Sequence, residues 1–547
     1  MVAPFITLSV GLVVVAIVYY GLVLPLYRGI SRRRMGIAEG AITVAFFHPY
    51  CNAGGGGERV LWMAVKTLAL LHAKLIKSSQ RPLHVLIYSG DIGVDPKEIL
   101  QRAEDHFGVQ LRDISMPVTF VFVRGREWLE AARYPVLTMV GQSLGSLLLG
   151  LVCLLAFPPD VFVDTTGCAF TYPLTALLGR CRIAAYVHYP TISTDMLNLV
   201  RDQRPSYNND RAVAGSALRS HIKLIYYRIF AILYGLCGFF VALVMTNSSW
   251  TQAHIRSLWR LGRQRIWTVF PPCDTSALEV SPRDYTGELT RSLYAVRQAM
   301  APVAGRPKPY AVVSGSSKTG RLTKLAPRHD IAFQDLPLRP REPVILSVGQ
   351  FRPEKDHPLQ IRAFARFVKP SCIDGGGGEK GRIKERVKLV LLGSCRGSED
   401  ERRVQSLRSL AADMGVGDRV QFVVGAHFSE LKEWLGRASV GLHTMWNEHF
   451  GICVVEYMAA GLIAVAHNSG GPKADIIVPW KGRSTGFLAA TEEEYAHAFA
   501  RIFAMDELKE LTPMRTSARE SIERFSDEIF VREWGNLMSP FLGLPVE

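Results

Sequence analysis

Two glutamates at a fixed spacing are the residues of this sequence best suited to chemistry. Glu448 precedes a Phe-Gly step, and Glu456 comes after it inside an apolar run, with seven residues between the two glutamates. The pattern predicts a loop at Glu448 and a helix that begins near Gly451, so at about 1.5 Å of rise per residue the two carboxylates stand roughly 12 Å apart. That span is about the distance from a sugar, across a diphosphate, to a ribose. A surface glutamate on an amphipathic helix is the alternative interpretation.

A glycine-rich turn in the first half has the architecture of a phosphate site. The apolar run Ile42–Phe47 predicts a strand, residues 54–57 are four glycines, and a helical pattern follows them. Glycines let backbone N–H groups approach oxygen atoms, and the N-terminus of a helix favours an anion. The segment matches neither the G-x-G-x-x-G fingerprint nor a Walker P-loop. Gly55 and Gly56 are therefore candidate phosphate contacts, with an ordinary strand-to-helix turn as the alternative.

Polar side chains also follow two other predicted strands. His188 ends the strand predicted at 182–188, where the side chain points into the crevice in which α/β proteins bind ligands. A purely structural histidine is the alternative there. In the second half, Arg352 and Lys355 follow the strand predicted at 344–348. A departing diphosphate needs such cations, because no metal-binding motif is visible in the sequence. A solvated basic loop is the alternative for these two residues.

These motifs together resemble the retaining, nucleotide-sugar-dependent glycosyltransferases of family 4, which have the GT-B fold. The resemblance covers about residues 40–275 and 340–540, and it implies an α/β protein with two Rossmann-like domains facing a central cleft. Besides the paired glutamates, it is carried by the sequence segments 46–62, 164–167, 186–190, 351–357 and 467–473.

The resemblance implies roles for residues of the glutamate motif and of one nearby loop. Glu448, with the backbone N–H groups of Phe450 and Gly451, would hold the hydroxyls of the donor sugar. Glu456 would bind the ribose of the nucleotide. The remaining implied nucleotide contacts lie in the loop after a predicted strand, at Gly393 and Ser394.

The resemblance also implies how the donor phosphates are bound. His188 would contact the donor sugar and phosphate. Lys355 has the spacing at which the family places a diphosphate-binding lysine. Gln350, however, stands where the family commonly has arginine, and Arg352 is the nearest substitute. The identity of the second phosphate-binding cation is therefore open from the sequence.

Within the family, the resemblance is to eukaryotic members that act on dolichol-linked oligosaccharides. It implies transfer of mannose in α-1,2 linkage from GDP-mannose to dolichol-diphosphate-linked Man3GlcNAc2 and then Man4GlcNAc2, in the synthesis of the N-glycan precursor. We expect no metal or other cofactor. The expected partners are the endoplasmic reticulum membrane, with the catalytic domains facing the cytosol, and other early mannosyltransferases, but no nucleic acid. The alternatives are a dolichol-linked α-1,3/1,6-mannosyltransferase, a phosphatidylinositol glycosyltransferase and a non-catalytic GT-B scaffold.

Length and composition agree with a membrane-associated enzyme of two domains. A chain of 547 residues is too long for one ordinary domain, and 48% hydrophobic residues is high for a soluble enzyme. The net charge of +15 favours anionic lipids or phosphate-bearing substrates, since no nucleic-acid-binding motif is visible. The 9 cysteines are scattered and form no C-x-x-C pair, which predicts a reducing compartment.

Three uncharged apolar stretches bear on the membrane. Residues 3–27 are long enough to span a bilayer, and they are followed but not preceded by arginines, which predicts an uncleaved anchor with the rest of the chain in the cytosol. A cleaved signal peptide is the alternative. The stretches 135–159 and 229–250 either cross the membrane, lead as helices into buried strands, or lie on the membrane face, and we favour the last arrangement.

Short β-branched runs alternate with helical segments, which predicts two parallel α/β sheets. The predicted strands cover 42–47, 84–88, 118–123, 161–164, 182–188 and 241–246, then 344–348, 387–392, 420–424, 440–443 and 462–467. We predict an anchor with a basic flank at 1–34, a Rossmann-like acceptor domain with membrane-associated segments at 35–275, and a mobile linker or insertion at 276–341. A Rossmann-like GDP-mannose-binding domain follows at 342–525, and a C-terminal segment at 526–547 packs back on the first domain.

Overall fold

The structure is a computed structural model that describes residues 14–78, 81–111, 114–202, 216–260, 265–278, 341–369 and 384–544. The predicted linker at 276–341 lies outside the described residues except for its first three residues and its last one. The anchor predicted at 1–34 is described from Val14 onward, where the helix α1 (Val14–Arg34) begins.

The first domain is built on a seven-stranded parallel sheet with the strand order β3-β2-β1-β4-β5-β6-β7. Its strands are β1 (Ile42–Phe47), β2 (Leu83–Ser89), β3 (Val118–Phe122), β4 (Val161–Asp164), β5 (Arg182–Val187), β6 (Leu243–Thr246) and β7 (Arg265–Thr268). The sequence predicts the first six of these strands, but not the short edge strand β7.

The second domain repeats this order with six parallel strands, β10-β9-β8-β11-β12-β13. They are β8 (Glu342–Val348), β9 (Lys388–Gly393), β10 (Val420–Val424), β11 (Ala438–Leu442), β12 (Ile463–His467) and β13 (Phe487–Ala489). In both sheets the order reverses beside the first strand, and ligands of such folds bind at the carboxyl ends of the strands near that point. The three-residue strand β13 is the one that the sequence does not predict.

Both faces of the first sheet are covered by helices, because successive side chains of a strand point to opposite faces. In β1, Val44 and Phe46 belong to one buried apolar cluster, and Ala45 and Phe47 belong to the other. The helices of this domain are α2 (Gly56–Lys77), α3 (Pro96–Phe107), α4 (Thr138–Ala156), α5 (Thr171–Leu177), α6 (Thr194–Arg201), α7 (Ala217–Gly238), α8 (Ser249–Leu258) and α9 (Thr275–Leu278).

The helices of the second domain cover its sheet in the same way, and a C-terminal helix returns to the first domain. They are α10 (His357–Val368), α11 (Ser398–Asp413), α12 (Phe428–Arg437), α13 (Ile452–Ala459), α14 (Glu492–Ala504), α15 (Thr512–Ile522) and α16 (Asp527–Phe541). Helix α16 packs on α2 and on the strand β1. Trp534 of α16 stacks on Phe46 of β1 at a centroid distance of 6.4 Å, and Arg59 of α2 donates to both carboxylate oxygens of Asp527 at 2.9 and 2.8 Å.

The two internal apolar stretches differ in structure. Residues 135–159 contain one helix, α4, and among the described residues α1 and α4 are the helices long and apolar enough to cross a membrane. Residues 229–250 do not form one helix, so the favoured arrangement, a helix on the membrane face over this whole stretch, is wrong, and the alternative of a helix that leads into a buried strand is the one observed. They contain the end of α7, the buried strand β6 and the start of α8, because the run Leu243–Thr246 pairs with β5 in the sheet.

Candidate active site

The loop between β11 and α13 carries Glu448 and is held in place by backbone contacts. Gly451 precedes the first residue of α13 with φ of +104°, a conformation that favours glycine. The N–H of Gly471 donates to the carbonyl of Glu448 at 2.7 Å, and the N–H of Asn447 donates to Ser469 Oγ at 2.8 Å. The loop is therefore fastened to the segment that follows β12, and Glu448 lies at the carboxyl end of the second sheet.

Glu448 is the centre of a partly buried charged cluster. Its Oε2 accepts from Lys355 Nζ at 2.7 Å and lies 3.1 Å from His443 Nε2, whereas its Oε1 accepts from the backbone N–H of His449 at 3.1 Å. Burial by itself raises the pKa of Glu448, but Lys355 and then His443 lower it further, so that the pKa is held well below its usual range. Burial lowers the pKa of Lys355, and Glu448 more than restores it. Both groups are therefore charged, and Oε1 faces fewer protein donors than Oε2.

Arg352 does not join this cluster. Its guanidinium pairs with Glu354 at 3.7 Å, and its side chain is 34% exposed. Gln350, at the position where family members commonly have arginine, is likewise only partly buried. Of the two predicted cations, the structure thus places Lys355 beside Glu448 and leaves Arg352 on the open side of the loop.

Glu456 lies on α13 without an ion pair among the described residues. Burial raises its pKa to about 7, and Arg59 offsets this effect only in part. The hydrogen bonds of Arg59 are directed elsewhere, to the carbonyls of Pro272 (3.0 Å) and Phe107 (2.7 Å) and to Asp527. A partly buried carboxylate of this kind has its acceptor sites available for a pair of ligand hydroxyls.

The glycine-rich turn forms the N-terminus of α2. Gly55 is the N-cap residue, and its N–H donates to Glu58, which also lies 3.3 Å from His48 Nε2. The N–H of Gly55 is thus already engaged, whereas the first amides of a helix, here those of Gly56 and Gly57, have no acceptor within the helix. The structure supports Gly56 as a candidate phosphate contact more directly than Gly55.

His188 faces this turn. Its Nε2 is buried without a hydrogen-bond partner among the described residues and lies 3.6 Å from the position of a Cβ on Gly57. Burial, and then His48, lower the pKa of His188 to about 4, so its ring is neutral at physiological pH. A buried, unpartnered ring nitrogen beside a helix N-terminus is suited to a polar ligand.

At the other positions predicted to contact the donor, the structure shows what each residue does within the protein. Gly393 ends β9, where a Cβ would lie 1.9 Å from the carbonyl oxygen of Gly349, so only glycine fits. The carbonyl of Ser394 accepts from the N–H of Phe351 at 3.2 Å. The ring of Phe450 is 3% exposed and packs in an aromatic cluster with Phe270 and Phe525, so only the backbone of Phe450 is available to a ligand.

Contacts between the domains meet at the glutamate loop. Asn447 Nδ2 donates to Asp195 Oδ2 of the first domain at 2.7 Å. The ring of Tyr189 stacks on His449 at a centroid distance of 4.0 Å. None of these four residues is among the predicted site residues, although Asn447 and His449 flank Glu448. The sequence contains no local signal for their cross-domain partners.

Comparison with known proteins agrees with this geometry. The chain matches the family described as ALG11 mannosyltransferase N-terminus over residues 41–259, and the family of group 1 glycosyl transferases over residues 329–521. It is 42% identical over 531 residues to the human GDP-Man:Man(3)GlcNAc(2)-PP-Dol alpha-1,2-mannosyltransferase, covering 96% of this chain and 92% of the human protein. The chain belongs to this mannosyltransferase family.

Other members of this mannosyltransferase family are similar over most of their length. The mouse protein of the same name is 43% identical over 491 residues, which is 89% of this chain and 84% of the mouse protein. The Dictyostelium discoideum protein is 37% identical, over 92% of this chain and 85% of that protein. The resemblance stated from the motifs is therefore confirmed, including the branch of the family.

Solved structures establish the fold of this mannosyltransferase family member. Anabaena HepE in complex with UDP and glucose superimposes with a TM-score of 0.53 at 14% identity, covering 91% of this chain and all of HepE. The apo structure of OtsA gives a TM-score of 0.56 at 11% identity, covering 93% of this chain and 100% of OtsA. Together with the two parallel sheets, these likenesses confirm the predicted GT-B fold.

Proposed function

We propose that this chain transfers mannose from GDP-mannose to dolichol-diphosphate-linked Man3GlcNAc2, and then to the Man4GlcNAc2 product, forming α-1,2 linkages with retention of configuration. The observation that carries the proposal is the 42% identity to the human enzyme of that name over 96% of the chain. The partly buried pair of Lys355 and Glu448 at the carboxyl end of the second sheet supports it, because a catalytically silent scaffold does not need to keep two charges largely removed from water.

The donor is held by the second domain in this proposal. Glu456 accepts hydrogen bonds from the two ribose hydroxyls of GDP, and Glu448 Oε1 accepts from hydroxyls of the mannose. The N–H groups of Phe450 and Gly451 lie at the start of α13, where the helix dipole favours the negatively charged groups of the donor. Gly393 and Ser394 close the loop beside the nucleotide.

Charge stabilisation of the leaving group is the main chemical task. When the bond between mannose C1 and the diphosphate oxygen breaks, the electron pair leaves with GDP. The acceptor hydroxyl forms the new bond to C1 and gives its proton to the departing diphosphate. Lys355 is fixed as a cation by Glu448 and neutralises the departing diphosphate, with Arg352 supplying a second cation from the open side. From the first domain, His188 and the N-terminus of α2 at Gly55 and Gly56 face the same phosphates. The residues present supply these charges, so we propose metal-independent transfer, and among the described residues no cluster has the composition of a metal site.

The acceptor is bound by the first domain at a membrane. We propose the cytosolic face of the endoplasmic reticulum, because the apolar part of α1 is followed within the same helix by Arg28, Arg32, Arg33 and Arg34, which directs the remainder of the chain to the cytosol. A product that ends in a new α-1,2-mannose then serves as the acceptor of the second transfer. Other early mannosyltransferases that make and use these intermediates are the expected partners.

The test is transfer of radiolabelled mannose from GDP-mannose to lipid-linked acceptors of defined size. We expect Man3GlcNAc2 to be converted into products one and two mannoses larger, with label that an α-1,2-specific mannosidase releases. Conversion of GlcNAc2 or Man1GlcNAc2 acceptors instead would identify a dolichol-linked mannosyltransferase of another step. Transfer to phosphatidylinositol lipids alone would also overturn the proposal, and a complete lack of transfer would favour a scaffold.

A further inference from the structure

Helix α1 is fastened to the first domain by side chains from Tyr19 to Arg32. Tyr19 Oη donates to the carbonyl of Leu178 at 3.0 Å, and Tyr20 Oη donates to the carbonyl of Leu177 at 2.6 Å. About two turns further along the helix, Tyr27 Oη donates to the carbonyl of Leu155. A flexible tether would not make such contacts at successive positions.

The basic end of α1 is tied to the central sheet. Arg28 donates to the carbonyls of Pro159 at 2.8 Å and Gly179 at 2.6 Å, and Arg32 pairs with Asp160 at 2.5 Å. The same carboxylate of Asp160 accepts from the backbone N–H of Thr43 in β1 at 2.9 Å. The orientation of α1 is therefore set by the sheet that carries the glycine-rich turn.

The tyrosines of α1 donate to backbone carbonyls that would have no hydrogen-bond donor in a lipid environment. The carbonyls of Leu155, Leu177 and Leu178 lie at the C-terminal ends of α4 and α5, where a helix has no internal donors. Their own side chains are 63%, 53% and 41% exposed. In hydrocarbon no water can donate to a backbone carbonyl, so each carbonyl there must accept from the protein itself. The exposed leucines and their hydrogen-bonded carbonyls meet this requirement.

The spacing along α1 gives the depth of this contact. Tyr19 precedes Arg28 by nine residues, which is about 13 Å along a helix axis. The side chains of Tyr19 and Arg28 reach adjacent carbonyls, those of Leu178 and Gly179, so the turn after α5 lies level with the segment of α1 between them. With the arginine-rich end of α1 at the headgroups, this turn lies in the outer part of the cytosolic leaflet, whose hydrocarbon is about 15 Å thick. Arg180, whose guanidinium lies 5.5 Å from the centre of the Tyr20 ring, has a stem long enough to reach toward the headgroups.

A second exposed apolar surface adjoins the same place. Helix α7 packs on α5, and one of its faces exposes large aliphatic side chains at intervals of three or four residues. These are Leu218, Ile222, Ile225, Ile229, Ile232 and Leu236. A helix that lies in the plane of a membrane surface has such a stripe of exposed apolar side chains along one face.

We propose that α1 is a rigid strut rather than a tether, and that the turn from α5 into β5 is inserted in the cytosolic leaflet, so that the cleft is held at one orientation to its lipid-linked acceptor. Arg28 is the positioning residue of this device. The consequence for catalysis rests on the proposed function, whereas the insertion of the turn does not.

The test uses the full-length protein in vesicles, with a fluorescent amino acid in place of Leu177 and lipids brominated in mid-chain as quenchers. We expect strong quenching at position 177 and none at Phe428, an equally exposed apolar position on the second domain. Arg28→Gln should reduce the quenching at position 177. Arg33→Gln removes the same charge from an exposed neighbour and should leave the quenching unchanged.

Activity provides the second readout. Arg28→Gln should lower transfer to a dolichol-linked acceptor in the bilayer about tenfold or more, but transfer to a short-chain acceptor in detergent by less than about twofold, because only orientation is lost. Equal loss in both assays would contradict an orienting role, and absence of quenching at position 177 in the unmodified protein would refute the inserted turn. If the unmodified protein transfers no mannose at all, the proposed function fails. The quenching result still shows whether the turn after α5 is inserted in the membrane and whether Arg28 holds it there.

Discussion

Lys355 Nζ lies 2.7 Å from Glu448 Oε2, and the two residues come from different loops of the second domain, after β8 and after β11. His443 approaches the same oxygen, whereas Oε1, among the described residues, accepts only from the backbone N–H of His449 and so has the greater remaining capacity to accept from a ligand. The pair joins the residue predicted to hold the donor sugar to the residue predicted to hold its phosphates. Its integrity is the first thing that mutation can test.

Replacement of Glu448 should affect turnover more than nucleotide binding. Glu448→Gln keeps the shape but removes the charge that holds Lys355, so we expect kcat to fall about a hundredfold while the Kd of GDP changes by less than about threefold. Steady-state kinetics and calorimetry measure the two quantities. Glu433→Gln, which removes an exposed carboxylate paired with Arg437 outside the site, is the matched control and should leave kcat nearly unchanged. Near-normal turnover with weakened GDP binding would show that the roles of Glu448 and Glu456 are reversed.

Glu456→Ala should weaken the binding of GDP-mannose. Loss of a hydrogen bond to a charged group costs about 1.5–3 kcal/mol, which corresponds to roughly a tenfold to hundredfold increase in Kd. Titration calorimetry measures the Kd of GDP and of sugar phosphates that lack guanosine. A loss of affinity for GDP alone would assign the lost binding free energy to the nucleoside. An unchanged Kd for GDP would remove Glu456 from the site.

The pH dependence of donor binding should report Glu456. Its folded-state pKa is raised to about 7 by burial, so in the free protein the carboxylate is largely protonated below that pH and charged above it. Because ribose hydroxyls donate to the charged form, GDP affinity should rise with pH through about 7. The raised pKa also means that this group's contribution to stability falls as the pH rises from the unfolded value, about 4.3, toward 7. Glu456→Gln should flatten both profiles, and a mutant that keeps them would assign the titration to another group.

Transfer should proceed without a divalent metal. Lys355, the neutral His188 and the start of α2 supply the favourable potential that a metal ion provides in other transferases. We expect activity to survive excess EDTA in buffers cleared of divalent cations. Strict dependence on Mn²⁺ or Mg²⁺ would contradict the metal-independent mechanism.

The protein should retain membrane binding without α1. If the stripe on α7 lies in the membrane surface, a protein lacking residues 1–34 should still float with anionic liposomes at low salt, and Ile225→Glu together with Ile232→Glu should abolish flotation. Far-UV circular dichroism controls for folding. A truncated protein that is folded, monomeric and fully soluble would identify α1 as the sole attachment.

Eleven strands of the two sheets follow from the sequence, because each is an apolar β-branched run bounded by turn residues. The edge strands β7 and β13 do not, since β13 has only three residues and β7, with the sequence Arg-Ile-Trp-Thr, is not a continuous apolar run. The placement of the motifs at the carboxyl ends of strands was equally predictable, as with His188 after β5 and the glycines after β1. Both are local properties of the chain.

What the tertiary structure alone decided is which groups meet. Lys355 and His443 converge on Glu448, Arg59 joins Asp527 from the far end of the chain, and Asn447 reaches Asp195 in the other domain. The raised pKa of Glu456 also depends on burial that no local pattern encodes. Likewise the sequence identifies α1 as an apolar helix, but its docking depends on carbonyls more than a hundred residues away. Periodicity fixes elements because it is local, whereas ion pairs, burial and capped carbonyls depend on distances that exist only after the sheets have assembled.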